Sequence, residues 1–115
     1  MHPYKRSERL GELILTEIAD MLLRDLKDPR IGFVTVTRVE MSDDLRSAKV
    51  YVSTLGTEQE RTRMLTGLAS AAGYIRRRLG QTLRLRYAPE LTFVHDESME
   101  HGAKIAHLLR QLHAE

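Results

Sequence analysis

The sequence predicts a single-domain α+β protein in which helices back a three-stranded mixed sheet. Apolar residues recur at the 3.6-residue spacing of a helix in three segments, and three short segments rich in β-branched residues lie between them. At 115 residues the chain has the length of one domain with its own core. A glycine interrupts the middle helical segment, so the predicted element order is α-β-β-α-kink-α-β-α.

The first helix is predicted over residues 7–27, with Ser7 as its N-cap. Asp28-Pro29 ends it, because the residue before a proline is pushed out of the α region. One buried stripe along this helix is formed by Leu10, Leu13, Ile14, Ile18, Met21, Leu22 and Leu26.

A β-hairpin is predicted next, from strands at residues 33–41 and 48–53 with turn-forming residues between them. Successive side chains of a strand point to opposite faces of the sheet. In the second strand one face carries Ala48, Val50 and Val52, and the other carries Lys49, Tyr51 and Ser53.

The middle helix begins with a capping box, in which Thr57 accepts the amide of Glu60 and the Glu60 side chain reaches back to the Thr57 amide. Gly73 follows Ala71 and Ala72 in a run of small residues. Because glycine costs about 1 kcal/mol relative to alanine inside a helix, this run predicts a kink or a close backbone approach. The alternative is a continuous helix that tolerates the glycine.

Beyond Gly73, a rotation of 100° per residue places Ile75 and Leu79 in the core. The same rotation predicts that three consecutive arginines keep their guanidinium groups in water, namely Arg76, Arg77 and Arg78. Alternation in residues 83–87 then directs Arg84 and Arg86 outward. One edge of the molecule is therefore expected to collect positive charge.

The third strand is predicted at residues 91–95, reached by a crossover that favours parallel pairing with the second strand. Asp96 or Ser98 can cap the last helix. The apolar residues of that helix are Ile105, Leu108, Leu109 and Leu112.

The positive charge is concentrated in one region. Between Glu60 and Glu90 lie seven arginines and no acidic residue, although the formal net charge of the chain is only +2. The planar guanidinium suits phosphate, so this region predicts polyanion binding; a solvated face is the alternative. Secondary candidates for the same role are Lys49 and the N-terminal Lys5, Arg6 and Arg9.

Composition and motifs argue against several other classes of protein. The chain has no cysteine, which excludes disulfides, a zinc ribbon and a thiol nucleophile. It has neither a signal-peptide pattern nor an apolar run of membrane-spanning length, so we expect a cytoplasmic protein that does not associate with a membrane. Phosphate-cradling and dinucleotide glycine motifs are absent, and we expect no cofactor.

A metal-dependent nuclease is the enzymatic alternative, built on Asp43, Asp44, Asp96 and Glu97. These carboxylates occur in a predicted turn and at a predicted helix cap, which are structural positions. His101, His107 and His113 are six residues apart and do not converge as metal ligands on a helix. The sequence therefore predicts neither a catalytic nor a metal site, and a protein-interaction module remains a further alternative.

The whole chain resembles the ribosome-binding factor A family of bacterial small-subunit assembly factors. The order and spacing of several short motifs carry the resemblance, among them Ala71-Ala72-Gly73 and the Asp28-Pro29-Arg30 turn. The matching segments are residues 27–32, 39–42, 44–45, 48–52, 71–76, 79–80, 83–86 and 89–93.

This resemblance implies a type II KH-like fold over residues 1–115, with an Ala-x-Gly kink where other KH domains carry a GxxG loop. It implies docking on the free, immature 30S subunit and its 16S rRNA, help with 5′-end maturation of that RNA, and importance in the cold. It also implies release by an assembly GTPase, and we expect a monomer. RNA contact is carried over onto Ala71, Ala72, Gly73 and the basic residues beside them.

Overall fold

A computed structural model describes the backbone of residues 6–112 and the side chains of these residues except 99–105. Lys5, His113 and the side chains of His101 and Ile105 are therefore outside the described part. The elements in chain order are α1 (Arg6–Arg24), β1 (Thr35–Met41), β2 (Ser47–Ser53), α2 (Glu58–Thr82), β3 (Glu90–His95) and α3 (Ser98–Leu112).

The sheet has the order β1-β2-β3, with β1 antiparallel and β3 parallel to β2. The predicted mixed sheet and its parallel third strand are confirmed. A bulge between Val36 and Arg38 takes Thr37 out of the ladder, and the Thr37 hydroxyl instead donates to Asp96 Oδ2 at 2.6 Å. This bond ties the first strand to the segment that leads into α3.

The core lies between α1, α2 and one face of the sheet. The inward face of β2 is the predicted one, and Ala48, Val50 and Val52 are all buried. The helices cover this face with fully buried side chains, namely Ile14, Ile18 and Met21 of α1 and Met64, Leu68, Ile75 and Leu79 of α2. None of the helices in the described chain is both long and apolar enough to cross a bilayer.

Helix α1 runs antiparallel to β1. A Cβ added to Gly11, near the start of α1, would lie 2.9 Å from the Val39 carbonyl oxygen, near the end of β1. The N-terminus of α1 therefore approaches the end of the sheet where β1 finishes and β2 and β3 begin. The prediction of Ser7 as the N-cap is wrong, because the helix already includes Arg6.

The predicted break at Gly73 is also wrong, since α2 is one continuous helix of 25 residues. Its capping box at Thr57 and Glu60 is confirmed. The helix continues because Leu68, Ile75 and Leu79 keep one buried stripe in register across the glycine, and burial outweighs a propensity cost of about 1 kcal/mol. Gly73 itself is exposed, with open space where a Cβ would lie.

A close approach of another segment to α2 occurs at Gly67 rather than at Gly73. A Cβ on Gly67 would meet Ile31 Cγ1 at 2.9 Å and Arg30 Cβ at 3.3 Å. Ile31 is a buried core residue, so it cannot move away freely. Gly67 is therefore the position at which α2 packs against the segment that follows α1.

We expect opposite effects from alanine at these two glycines. Gly73→Ala should stabilise the protein by about 0.5–1 kcal/mol through helix propensity. Gly67→Ala should destabilise it by about 1 kcal/mol or more, because overpacking costs more than the propensity gain. Urea unfolding of the two variants measures both effects, and equal shifts would contradict the packing described for Gly67.

Candidate nucleic-acid interface

The exposed side of α2 carries part of the predicted site. Gly73 and Arg77 are both exposed and lie one helical turn apart on the same face. Ser70 and Gln81 extend this face in the two directions. Ala71 and Ala72 are half-buried beside it. The face is therefore smooth around Gly73, in the sense that these neighbouring residues are small, and it becomes positively charged at Arg77.

Arg76 does not point into water, and this prediction is wrong. Its Nε donates to the Pro89 carbonyl at 2.9 Å and its Nη2 donates to the Ala88 carbonyl at 3.1 Å. Helical phase places Arg76 at the boundary of the core, from which its long side chain reaches the two carbonyls. Arg76 therefore fixes the loop between α2 and β3.

Arg78 remains at the surface but has a protein partner. Its Nη2 lies 3.4 Å from Asp25 Oδ2, just after the end of α1. Such a partly exposed pair contributes about 0–1 kcal/mol. Because this pairing offsets much of its charge, Arg78 is the weaker candidate and Arg77 the stronger.

The segment after α2 is a helix-terminating turn rather than an extended segment. Leu83 donates its N–H to Leu79 and Leu85 donates its N–H to Gly80, both at 3.0 Å. Between them Arg84 has φ = +52°, the left-handed conformation in which glycine usually ends a helix. Arg84 and Arg86 are both exposed, as predicted.

The structure adds two residues that sequence reasoning missed, Arg46 and Tyr87. Arg46 comes from the hairpin turn, and its carbonyl accepts the Glu90 N–H at 2.9 Å, which joins that turn to the start of β3. The Arg46 and Arg86 guanidinium carbons lie 5.4 and 5.6 Å from the centre of the Tyr87 ring. The parallel pairing that begins with Ser47 and Glu90 brings these segments together, and no local sequence motif indicates it.

We call Arg46, Arg77, Arg84 and Arg86 the arginine surface. They lie around the C-terminal end of α2 and the end of the sheet where β2 and β3 begin. Arg6 and Arg9 are exposed at the start of α1, which approaches the same end of the sheet. Asp43 and Asp44 lie there too, so the charge near the hairpin turn is mixed.

Lys49 does not join the arginine surface. It alternates with the buried residues of β2 and is exposed on the sheet face opposite to the helices. Glu40 is its partner across the strand pair. The structure therefore brings together the candidates in and after α2, and separates Lys49 from them.

Two of the four acidic residues considered for catalysis, Asp44 and Asp96, already have structural bonds. Asp44 accepts bonds from the Ser42 hydroxyl at 2.6 Å and the Arg46 amide at 3.0 Å, which lower its pKa. Asp96 accepts from Thr37 and from the Ser98 amide at the start of α3. The two carboxylates lie near opposite ends of β2, about 20 Å apart at roughly 3.3 Å per residue, so they cannot share a metal ion.

The bonds to Asp96 predict a dependence of stability on pH. The Thr37 hydroxyl, followed by Ser98, lowers the pKa of Asp96 to about 2. A carboxyl with a lowered pKa stabilises the folded state fully above its unfolded pKa of about 3.9, and loses that contribution as the pH falls toward 2. The stability difference between the wild type and Asp96→Asn should therefore shrink between pH 4 and pH 2. Urea titrations across this range test this, with Asp43→Asn as control; a constant difference would contradict the assignment.

The element order and strand pairing define a KH-like α+β protein, here with exposed arginines gathered at one end. Comparison with known proteins agrees. The profile of the family named ribosome-binding factor A matches residues 6–109. The chain belongs to the ribosome-binding factor A family, whose members are ribosome-binding factors rather than enzymes.

One curated relative and two structures illustrate the similarity. Ribosome-binding factor A of Halothermothrix orenii is 51% identical over 111 residues, which cover 96% of this chain and 91% of the relative. A solution structure of a Thermotoga maritima ribosome-binding factor A is 41% identical, with a TM-score of 0.66 over 82% of this chain and 90% of the other.

The other is a homology model of Thermus thermophilus ribosome-binding factor A as fitted into the cryo-EM map of a complex of the 30S subunit with ribosome-binding factor A. It is 26% identical to this chain, with a TM-score of 0.66 over 79% of this chain and 96% of the other.

Proposed function

We propose that this protein docks on RNA of the free, immature 30S subunit through the arginine surface. The observation that carries the proposal is that Arg77, Arg84 and Arg86 are all exposed along the last turns of α2 and the turn that follows it, after the small residues around Gly73 on the same helix. Arginine forks bind phosphate, and phosphate contacts fix position without reading sequence. The similarity to a protein whose complex with the 30S subunit is known supports the choice of partner.

Within this proposal the protein acts in the cytoplasm, as a monomer and without a cofactor. The family resemblance supports a role in late maturation of the subunit, including the 5′ end of 16S rRNA, in cold conditions above all. It also supports release by an assembly GTPase. The protein would assist by occupying its site while the RNA around it matures.

The test is cosedimentation of the purified protein with free small subunits over a series of salt concentrations. Docking on phosphates releases counterions, so the logarithm of the binding constant should fall with the logarithm of salt by about 0.7–0.9 per contact. Three arginine contacts predict a total slope of about 2–3. Binding that does not respond to salt would overturn RNA docking.

Arg84 offers a variant in which stability and binding should move in opposite directions. Arg84→Gly should stabilise the protein by about 1 kcal/mol, because the left-handed conformation crowds a Cβ. It should also weaken subunit binding roughly tenfold through the loss of one phosphate contact. Urea unfolding and cosedimentation measure the two effects, and Arg84→Ala, which keeps the Cβ, should weaken binding without the gain in stability. Unchanged subunit binding in both variants would remove Arg84 from the site.

A contact with a protein is a second candidate function, favoured by the opposite end of the sheet. Three large apolar side chains there are 87–96% exposed, namely Leu23, Phe33 and Leu55. If this end meets a protein component of the subunit, Phe33→Ser should weaken binding to whole subunits but not to protein-free 16S rRNA. Equal binding of wild type and variant to whole subunits would exclude this contact.

A further inference from the structure

Tyr87 is an aromatic side chain placed among cations and left open to solvent. Its residue surface is 59% exposed, in the loop just before β3. The Arg46 and Arg86 guanidinium carbons lie 5.4 and 5.6 Å from the ring centre, within the range of a cation–π contact. One cation comes from the hairpin turn and the other from the residue next to the tyrosine.

The backbone around Tyr87 is held on both sides. Before it, Leu85 donates its N–H to Gly80 at the end of α2. After it, the Arg76 side chain donates one hydrogen bond to the Pro89 carbonyl and one to the Ala88 carbonyl. The Glu90 N–H donates to the Arg46 carbonyl. The ring is therefore presented from a fixed backbone, so binding a ligand would cost little ordering of the loop.

The other aromatic residues of comparable interest have different surroundings. Arg38 lies 4.0 Å from the centre of the Tyr51 ring, and the Tyr51 hydroxyl donates to Glu40 at 2.8 Å, so this side chain is already engaged. Phe33 lies beside a groove lined mainly by apolar residues such as Leu22, Leu23 and Val34. Among the described aromatic residues, Tyr87 alone combines a largely open surface with two adjacent guanidinium groups.

An open aromatic ring with flanking cations is better suited to an unpaired nucleobase than to a duplex. Nucleobases stack on aromatic side chains and on guanidinium planes, and the phosphates on either side of the base can bond arginines. The bases of a duplex are stacked on each other and cannot reach the ring, so a duplex would offer this site only its phosphates.

We propose that Tyr87, with Arg46 and Arg86, is a docking site for an unpaired RNA base. The protein then prefers a single-stranded segment to a duplex at this end of the molecule. The inference rests on the proposed RNA docking and adds the kind of RNA that the arginine surface receives.

The experiment compares a short unstructured RNA with a duplex of the same sequence, using fluorescence anisotropy with wild type and three variants. Tyr87→Ala should weaken single-strand binding on the order of tenfold, the typical effect of removing one stacking side chain. Its duplex binding should change less than about twofold, because the phosphate contacts remain. Tyr87→Phe keeps the ring and should bind as the wild type does.

Phe33→Ala is the matched control, because Phe33 is an exposed aromatic residue at the opposite end of the sheet from Tyr87; its single-strand binding should be unchanged. Circular dichroism confirms that each variant is folded. Equal losses of single-strand and duplex binding in Tyr87→Ala, or no loss, would overturn the base site while leaving RNA docking in place. A wild-type protein that binds neither RNA at low salt, nor small subunits, would instead overturn the proposed function.

Discussion

Replacing Arg77, Arg84 and Arg86 together with glutamine is expected to lower the affinity for free small subunits by on the order of 1000-fold. The three guanidinium groups are exposed and make none of the structural bonds that Arg76 makes. Each charge-assisted bond to phosphate contributes about 1.5 kcal/mol or more, which is roughly tenfold in affinity. Substitutions at such surface positions change stability by about 0.5 kcal/mol at most, so the variant should remain folded.

Cosedimentation at a fixed salt concentration measures the loss, and the slope of affinity against salt should fall by about 2–3 at the same time. The matched control is Lys27, Arg63 and Arg110 changed to glutamine, because these residues are exposed elsewhere and the formal charge changes by the same amount. Equal losses in the two triple variants would show that net charge, rather than the arginine surface, determines binding.

Arg76→Met is expected to destabilise the protein by about 1.5–3 kcal/mol. Methionine keeps much of the length of the side chain but removes both donors to the Ala88 and Pro89 carbonyls. Hydrogen bonds to charged groups contribute about this amount when the acceptors are partly buried. The loss also frees the loop that carries Arg84 and Arg86, so subunit binding should weaken although Arg76 itself need not touch RNA.

Urea unfolding measures this destabilisation. Arg77→Met is the matched control at the next position of α2, with an expected change within about 0.5 kcal/mol. Hydrogen exchange gives a local measurement, since the Glu90 amide that bonds Arg46 should exchange faster in Arg76→Met. Equal stability of the two variants would contradict the anchoring role of Arg76.

The sequence predicted the main elements because each is encoded locally. The capping box at Thr57 and Glu60 marked the start of α2, and the alternation of Ala48, Val50 and Val52 identified the inward face of β2. The length of the crossover predicted the parallel third strand. Local patterns of this kind need no knowledge of what each segment touches.

The predictions from the sequence were wrong where contacts between distant parts of the chain determine the structure. Gly73 did not break α2, because the buried stripe on the other side of the helix continues across it. Helical phase placed Arg76 at the surface boundary but could not show that two loop carbonyls lie within its reach.

The candidate site was predictable only in part for the same reason. Arg77, Arg84 and Arg86 lie close together in the chain, so their charge density is visible in the sequence. Arg46 and Tyr87 are 41 positions apart and meet only because β2 and β3 are parallel with Ser47 opposite Glu90. A strand register of this kind depends on the assembled sheet.

Directed cleavage of ribosomal RNA from a tethered iron chelate can show which part of α2 lies against the RNA. The chain has no cysteine, so Gln81→Cys and Gln59→Cys each give one attachment site. Both glutamines are exposed on α2, about 33 Å apart along the helix at 1.5 Å per residue, and only Gln81 lies beside the arginine surface. We expect strong cleavage of 16S rRNA in free small subunits from position 81 and little from position 59. Equal cleavage from both positions, or stronger cleavage from position 59, would show that the arginine surface does not face the RNA.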